Sequence, residues 1–220
     1  MNAISAIVRF FQEGGVFMYP IVVVLALGVA IALERWLFLT MTTVTNKSLW
    51  NKVAPYLKAG NLQGAMQVTS QSKAAIAQIM TYGLNRVRSA RRREDVEQAM
   101  EESLMEVMPK LEKRTHYLAT FANIATLLGL LGTIIGLINA FTAVSNANPA
   151  DKADLLSASI SVAMNTTAFG LIVAIPLLLI HTLLQTKTTE IVDSLEMASV
   201  KFLNSITDGS AAQKPAKAAG

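Results

Sequence analysis

Residues 16–33, 118–144 and 155–184 contain no Asp, Glu, Lys or Arg. No other feature of the chain restricts its fold so severely. A run of about 18 or more apolar residues can cross the ~30 Å hydrocarbon layer as a helix, which satisfies every main-chain N–H and C=O internally. The first run is about 27 Å long as a helix; the second and third, at about 40 and 45 Å, exceed what one crossing needs. The expected fold class is therefore all-α integral membrane, with three transmembrane helices and long cytoplasmic helical extensions. Composition agrees, since only 15% of residues are charged, against about 25% in soluble domains. The first run is read as a retained anchor rather than a cleaved leader, because it is too long and has no small-residue cleavage site before a polar segment.

The flanks divide the rest of the chain. Residues 1–15 read as a periplasmic-side amphipathic helix, with Ile4, Ile7, Val8 and Phe11 on one side and Gly14 and Gly15 ending it. Transmembrane helix 1 is expected over 16–40, with Glu34, Arg35 and Trp36 at its interface. Residues 41–115 form a polar helical region with breaks at Pro55, at Gly60 and Asn61, and near Ser89. From Arg93 a single long helix is expected, kinked at Pro109. Transmembrane helix 2 occupies 116–145, a turn 146–154, helix 3 155–185 and its extension 186–206; a disordered tail is expected over 207–220. In the turn, Asn148 suits an N-cap, Pro149 the first helical position and Asp151 the first turn. Leu111, Leu118, Leu195 and Phe202 can supply one apolar seam between the extensions.

Charge sets the orientation. The 41–115 segment holds twelve Lys and Arg, against Arg9 before the first span and Lys152 in the short turn. Positive charge stays inside, so the N-terminus and the turn are periplasmic and the C-terminus cytoplasmic, in a bacterial inner membrane. The basic cluster of Arg86, Arg88 and Arg91 to Arg93 reads first as a solvated helix face, with anionic membrane lipid as a further contact. A net charge of +4 does not suggest nucleic acid.

Chemistry is sparse. The chain has no cysteine, and His116 and His181 stand alone near the ends of different apolar runs, so no metal site is expected. A membrane enzyme such as a lipid transferase would need a titratable constellation at an interface, and Glu34, Arg35, His116 and His181 are too scattered to form one. What remains is hydroxyl groups in hydrocarbon. On helix 2, Thr126, Thr133, Ala140 and Val144 fall within about 20° of one line at 100° per residue. On helix 3, Val162, Thr166, Ser159, Gly170, Ala163 and Thr167 spread over about 140° of one small, hydroxylated face. Such groups face a bundle interior or a wet path, or bond back to their own helix carbonyls; both readings stand on geometry alone. Gly129, Gly132 and Gly136 read as packing positions.

Gly129-Leu-Leu-Gly132-Thr133-Ile-Ile-Gly136, followed by Thr166-Thr167-Ala168-Phe169-Gly170-Leu171 and Ala174-Ile-Pro176, resembles the MotA/TolQ/ExbB proton-channel family. Gly14-Gly15-Val-Phe-Met-Tyr-Pro20 and Glu34-Arg35 extend the likeness over most of the chain. Three spans with the large loop after the first are similar to the ExbB/TolQ branch, the flagellar MotA branch having four. The resemblance implies a homopentameric ring around a central pore. That pore holds single-span helices of an ExbD- or TolR-like partner, whose aspartate carries the proton; a TonB- or TolA-like protein lies downstream. It implies a motor subunit that energises a TonB/Tol-like machine such as outer-membrane transport, with a stator-like or surface-motility motor, or a non-conducting scaffold, as alternatives. No cofactor is implied; the ion is H⁺, or Na⁺, since hydroxyls serve both. The family's pore threonines match Thr133 and Thr167, with Thr126, Ser159, Val162 and Thr166 beside them. Where many relatives carry a glutamate, five residues before Thr167, this chain has Val162.

Overall fold

The computed structural model describes residues 10–11, 14–87, 89–90 and 92–212, with side chains to residue 206 apart from that of Asn146. Most of the amphipathic helix expected over 1–15, and residues 213–220, lie outside the described residues. The chain is helical: α1 Met18–Lys58, α2 Leu62–Ser70, α3 Ala75–Val87, α4 Arg93–Glu112, α5 Thr115–Asn146 and α6 Lys152–Ala212. Three stretches, Met18–Lys58, Arg93–Ser145 and Lys152–Ile206, are long and apolar enough to cross a membrane. At most 28% of each apolar window is buried within the chain. That much bare hydrocarbon is untenable in water, so the protein is membrane-embedded.

Residues cluster into two compact units, Met1–Arg35 with Arg114–Leu183, and Trp36–Lys113 with Leu184–Gly220. In the first, small side chains let helices approach closely. The buried face of α5 is Ala122, Ala125, Gly129, Gly132 and Ala140, and α6 meets it with Ala163, Thr166, Gly170, Val173 and Ala174. A methyl group on Gly28 of α1 would lie 2.7 Å from a Leu177 methyl, so this helix too is held close by a missing side chain. Leu127, Leu130, Ile134, Ile138 and Phe141 point outward from α5, as do Leu171, Ile172, Ile175 and Leu179 from α6.

The second unit is a helical bundle with a seam of its own. Buried positions on α6 are Leu184, Thr188, Ile191, Leu195, Ala198 and Phe202, alternating by four and three residues, the spacing of knobs-into-holes packing. Val96, Met100, Ser103, Val107 and Leu111 are buried on α4 in a similar rhythm. Arg93 Nη2 donates to Asn204 Oδ1 at 2.9 Å, which ties the start of α4 to the end of α6. All four residues of the expected seam are buried, but Leu118 belongs to the first unit and the other three to the second.

Four local readings are corrected. The helix runs through Pro55 and stops at Gly60, where a positive φ of 67° allows the amides of Gly60 and Asn61 to bond to the Leu57 and Tyr56 carbonyls. The long helix from Arg93 is divided by Arg114 at φ 67°, beyond Pro109, which stays inside α4. The polar run Glu112-Lys113-Arg114 gives no apolar face to continue the helix there. Asn148 to Asp151 form a turn, with the Asp151 amide on the Asn148 carbonyl, and α6 starts only at Lys152. At its other end α6 continues past residue 207 to Ala212.

Candidate functional site

The hydroxyl residues of α5 and α6 lie beside a crossing so tight that backbone touches backbone. A methyl on Gly129 would stand 3.2 Å from Thr167 Cα, and one on Gly170 2.7 Å from the Ala125 carbonyl oxygen. Gly132 lies against Thr166, and Gly136 against Ala163. These antiparallel pairings put Thr133, Thr166 and Thr167 within about one helical turn, ~5 Å, of the same depth. The glycines are packing positions, and what they bring together is the threonines.

The threonines then divide by their partners. Thr133 is half-buried, and its Oγ1 donates to the Leu130 carbonyl of its own helix at 2.6 Å. Thr167, also half-buried, donates across the crossing to the Gly129 carbonyl at 2.8 Å. Thr126 is exposed and donates to the Ala122 carbonyl at 3.1 Å. A hydroxyl has one hydrogen and two lone pairs. With the hydrogen engaged on a main-chain carbonyl, each of these groups offers its surroundings an acceptor.

Val162 and Thr166 belong to another face. Thr166 is 2% exposed and lies 2.6 Å from the Gly14 carbonyl oxygen and 3.0 Å from that of Val162. Its single hydrogen favours the shorter bond, which holds the turn before α1 onto α6. Gly15, at φ 74°, sits over Val162; a methyl there would be 3.2 Å from Val162 Cγ1. Phe10 and Phe11 pack edge-on against Phe169, centroids 6.3 and 5.6 Å away, and extend the same cover. The chain's own N-terminal turn thus occupies the face that carries Val162 and Thr166, and Thr133 and Thr167 stand outside this contact. Ser159 is half-buried two turns toward the start of α6. Sequence reasoning missed the Thr166–Gly14 contact; two glycines before the span signalled a turn, but not where it docks.

The polar ends of the spans have simple chemistry. Glu34 and Arg114 approach to 3.9 Å with both side chains about half exposed, a pair worth little. Arg35, its neighbour in sequence, is buried at 2%. In the second unit Lys187 Nζ donates to Thr40 Oγ1 at 2.6 Å and sits 4.5 Å from the Trp36 ring centroid. Among the described residues no three His, Cys, Asp or Glu side chains converge as a metal site would require.

Comparison with known proteins follows the same lines. The sequence model of the MotA/TolQ/ExbB proton channel family matches residues 71–197, more than half of the chain. The chain is also 29% identical over 199 residues to a protein of Methanothermobacter thermautotrophicus described as a biopolymer transport protein ExbB homologue. That alignment covers 90% of this chain and 69% of the relative. With three apolar spans in the chain, and the glycine-rich crossing of the last two inside the matched region, the chain belongs to the MotA/TolQ/ExbB proton channel family, as an ExbB-like member.

Proposed function

We propose that the chain is the ring subunit of a proton-driven inner-membrane motor that energises a TonB/Tol-like periplasmic machine. Five copies would surround an axial pore with α5 and α6 innermost, and single-span helices of an ExbD- or TolR-like partner would fill it. The N-terminus and the α5–α6 turn face the periplasm; the second unit lies in the cytoplasm, where its lysines and arginines belong.

One observation carries the reading. Within about one helical turn of a charge-free stretch of the helix pair, Thr133 and Thr167 present lone pairs, their hydrogens being engaged on the Leu130 and Gly129 carbonyls. The subunit has no carboxylate in these spans, and His116 and His181 stand near the ends of their runs, so the proton-carrying carboxylate is assigned to a partner. A protonated aspartic acid donates its O–H to such an acceptor and is stabilised there in neutral form. A carboxylate finds no donor unless a threonine hydroxyl leaves its carbonyl, and a bare charge in hydrocarbon costs several kcal/mol. The threonine level therefore favours the loaded, neutral partner, and proton release drives the helix onward to another site. Val162 and Thr166, covered by the turn at Gly14 and Gly15, have no part in this step; Thr126 and Ser159 flank it.

The test uses the subunit co-reconstituted with its partner in vesicles under a proton gradient. Thr133→Val and Thr167→Val each remove only the hydroxyl, and should reduce proton-driven activity at least tenfold while the complex assembles normally. The serine variants should retain activity. Replacing Na⁺ by K⁺ throughout should change nothing. Full activity in both valine variants would reduce the hydroxyls to packing groups and end the proposal.

A further inference from the structure

We propose that the second unit binds one anionic phospholipid, phosphate inward, in a groove bounded by α1, the start of α3 and α4. The groove measures about 400 Å³. Its walls are chemically two-ended. Phe38, Met41, Val107 and Leu111 make one part apolar, and Lys73 and Lys110 bring two ammonium groups to it. No Asp or Glu lines it. Glu106 is not among the lining residues; it accepts a hydrogen bond from Nε2 of the lining Gln78 at 3.1 Å. Asn46 adds an amide to the wall; its Oδ1 is engaged by the Ile76 N–H at 3.2 Å, and its enclosed Nδ2 has no hydrogen-bond partner.

Two cations, with no acid among the described lining residues, favour an anion, and the apolar walls favour one that carries a hydrocarbon body. A free phosphate would gain nothing from Phe38 or Met41, whereas an acyl chain would cover them. Both side chains are open in the chain, Met41 at 70% exposure. Position selects the source. Phe38 follows the charge-free run ending at residue 33 by five residues of the same helix, about 8 Å along α1. The groove therefore adjoins the bilayer, where lipid is at its highest local concentration. Lys73 and Lys110 are exposed, and their flexible stems let the ammonium groups close on a phosphate seated in the groove. The proposal needs only that the protein is membrane-embedded, and is independent of the pore chemistry.

Native mass spectrometry of the purified full-length oligomer, delipidated and titrated with phosphatidylglycerol or with phosphatidylcholine of the same chains, tests it. Phosphatidylglycerol should saturate at one tight site per subunit, and phosphatidylcholine should bind at least tenfold more weakly. Lys73→Gln with Lys110→Gln should weaken phosphatidylglycerol about 30-fold, while Lys73→Arg with Lys110→Arg should preserve it; unchanged circular dichroism in both shows that the fold survives. Equal binding of the two lipids, or undiminished phosphatidylglycerol in the glutamine variant, would overturn the assignment. So would saturation by glycerol 3-phosphate at the same affinity, which would make the groove a free-phosphate site. A glutamine variant that loses subunits from the oligomer while keeping its lipid would also overturn it, as the mark of a groove filled by a neighbouring chain.

Discussion

At Gly170 a methyl group would meet the Ala125 carbonyl oxygen at 2.7 Å and Gly129 Cα at 3.1 Å, both parts of a backbone that cannot rotate away. Gly60 poses the opposite problem: nothing lies within 4 Å of its absent side chain, but its φ is 67°. Gly170→Ala must separate two helices and should cost about 1–3 kcal/mol, the usual penalty for overpacking. Gly60→Ala pays only left-handed strain, about 1 kcal/mol. Thermal unfolding in one detergent should rank Gly170→Ala as the more harmful; the reverse order would mean that the crossing yields easily. Gly129, Gly132 and Gly136 were legible as packing positions from their spacing and Gly60 as a break, whereas Gly170 was placed only on the small face of helix 3. The partner of Thr166 was not legible, because Gly14 lies 152 positions away and no periodicity joins them.

Among the elements, the division between α4 and α5 rests on one residue. Arg114 adopts φ 67°, which costs a side-chain-bearing residue about 1–2 kcal/mol relative to glycine. Its contact with Glu34, half exposed at 3.9 Å, returns at most about 1 kcal/mol. Arg114→Gly should therefore be neutral or slightly stabilising, and Arg114→Val clearly destabilising, since a β-branched residue is poorly tolerated in that region. Equilibrium unfolding of the three proteins checks the order; a valine variant as stable as the glycine one would show that the break relaxes. The start of α3 depends on a distant residue in a similar way. Ile76 N–H, in the first turn where helical partners are absent, bonds to Asn46 Oδ1 of α1. Gly60 and Pro149 marked two of the breaks in advance, yet Pro55 proved harmless in the last turn of α1, and the breaks between Ser70 and Ala75 and at Arg114 had no glycine or proline to announce them.

Over the whole molecule, exposure is the dominant fact. Each apolar window buries no more than 28% of its residues within the chain, so lipid and further chains must cover the remainder. Lipid suffices for Leu171, Ile172, Ile175 and Leu179; the half-buried Thr133 and Thr167 call for a protein environment. The proposed ring would meet both needs, with hydroxyl faces inward and leucines outward. Native mass spectrometry of the protein released from detergent should give a pentamer, and a pentamer with added single-span helices when the partner is co-expressed. A stable monomer or dimer would refute the ring. Cysteine pairs across the second unit, such as Met100 with Phe202, should cross-link within one subunit, because both side chains crowd Gly83.

Membrane residence, the number of possible crossings, three of the five helix breaks and the family are all legible along the chain alone. These properties are written locally: in unbroken hydrocarbon, in Gly-Gly and Gly-Asn steps, and in a motif read along the chain. Only the tertiary structure decided which hydroxyls are engaged and by what. Thr166 and Thr167 are neighbours of the same type, yet one turns to a carbonyl 152 positions away and the other to one 38 positions away. A 100° step around a helix separates them, and which neighbour fills each direction depends on how closely the glycines allow the helices to approach.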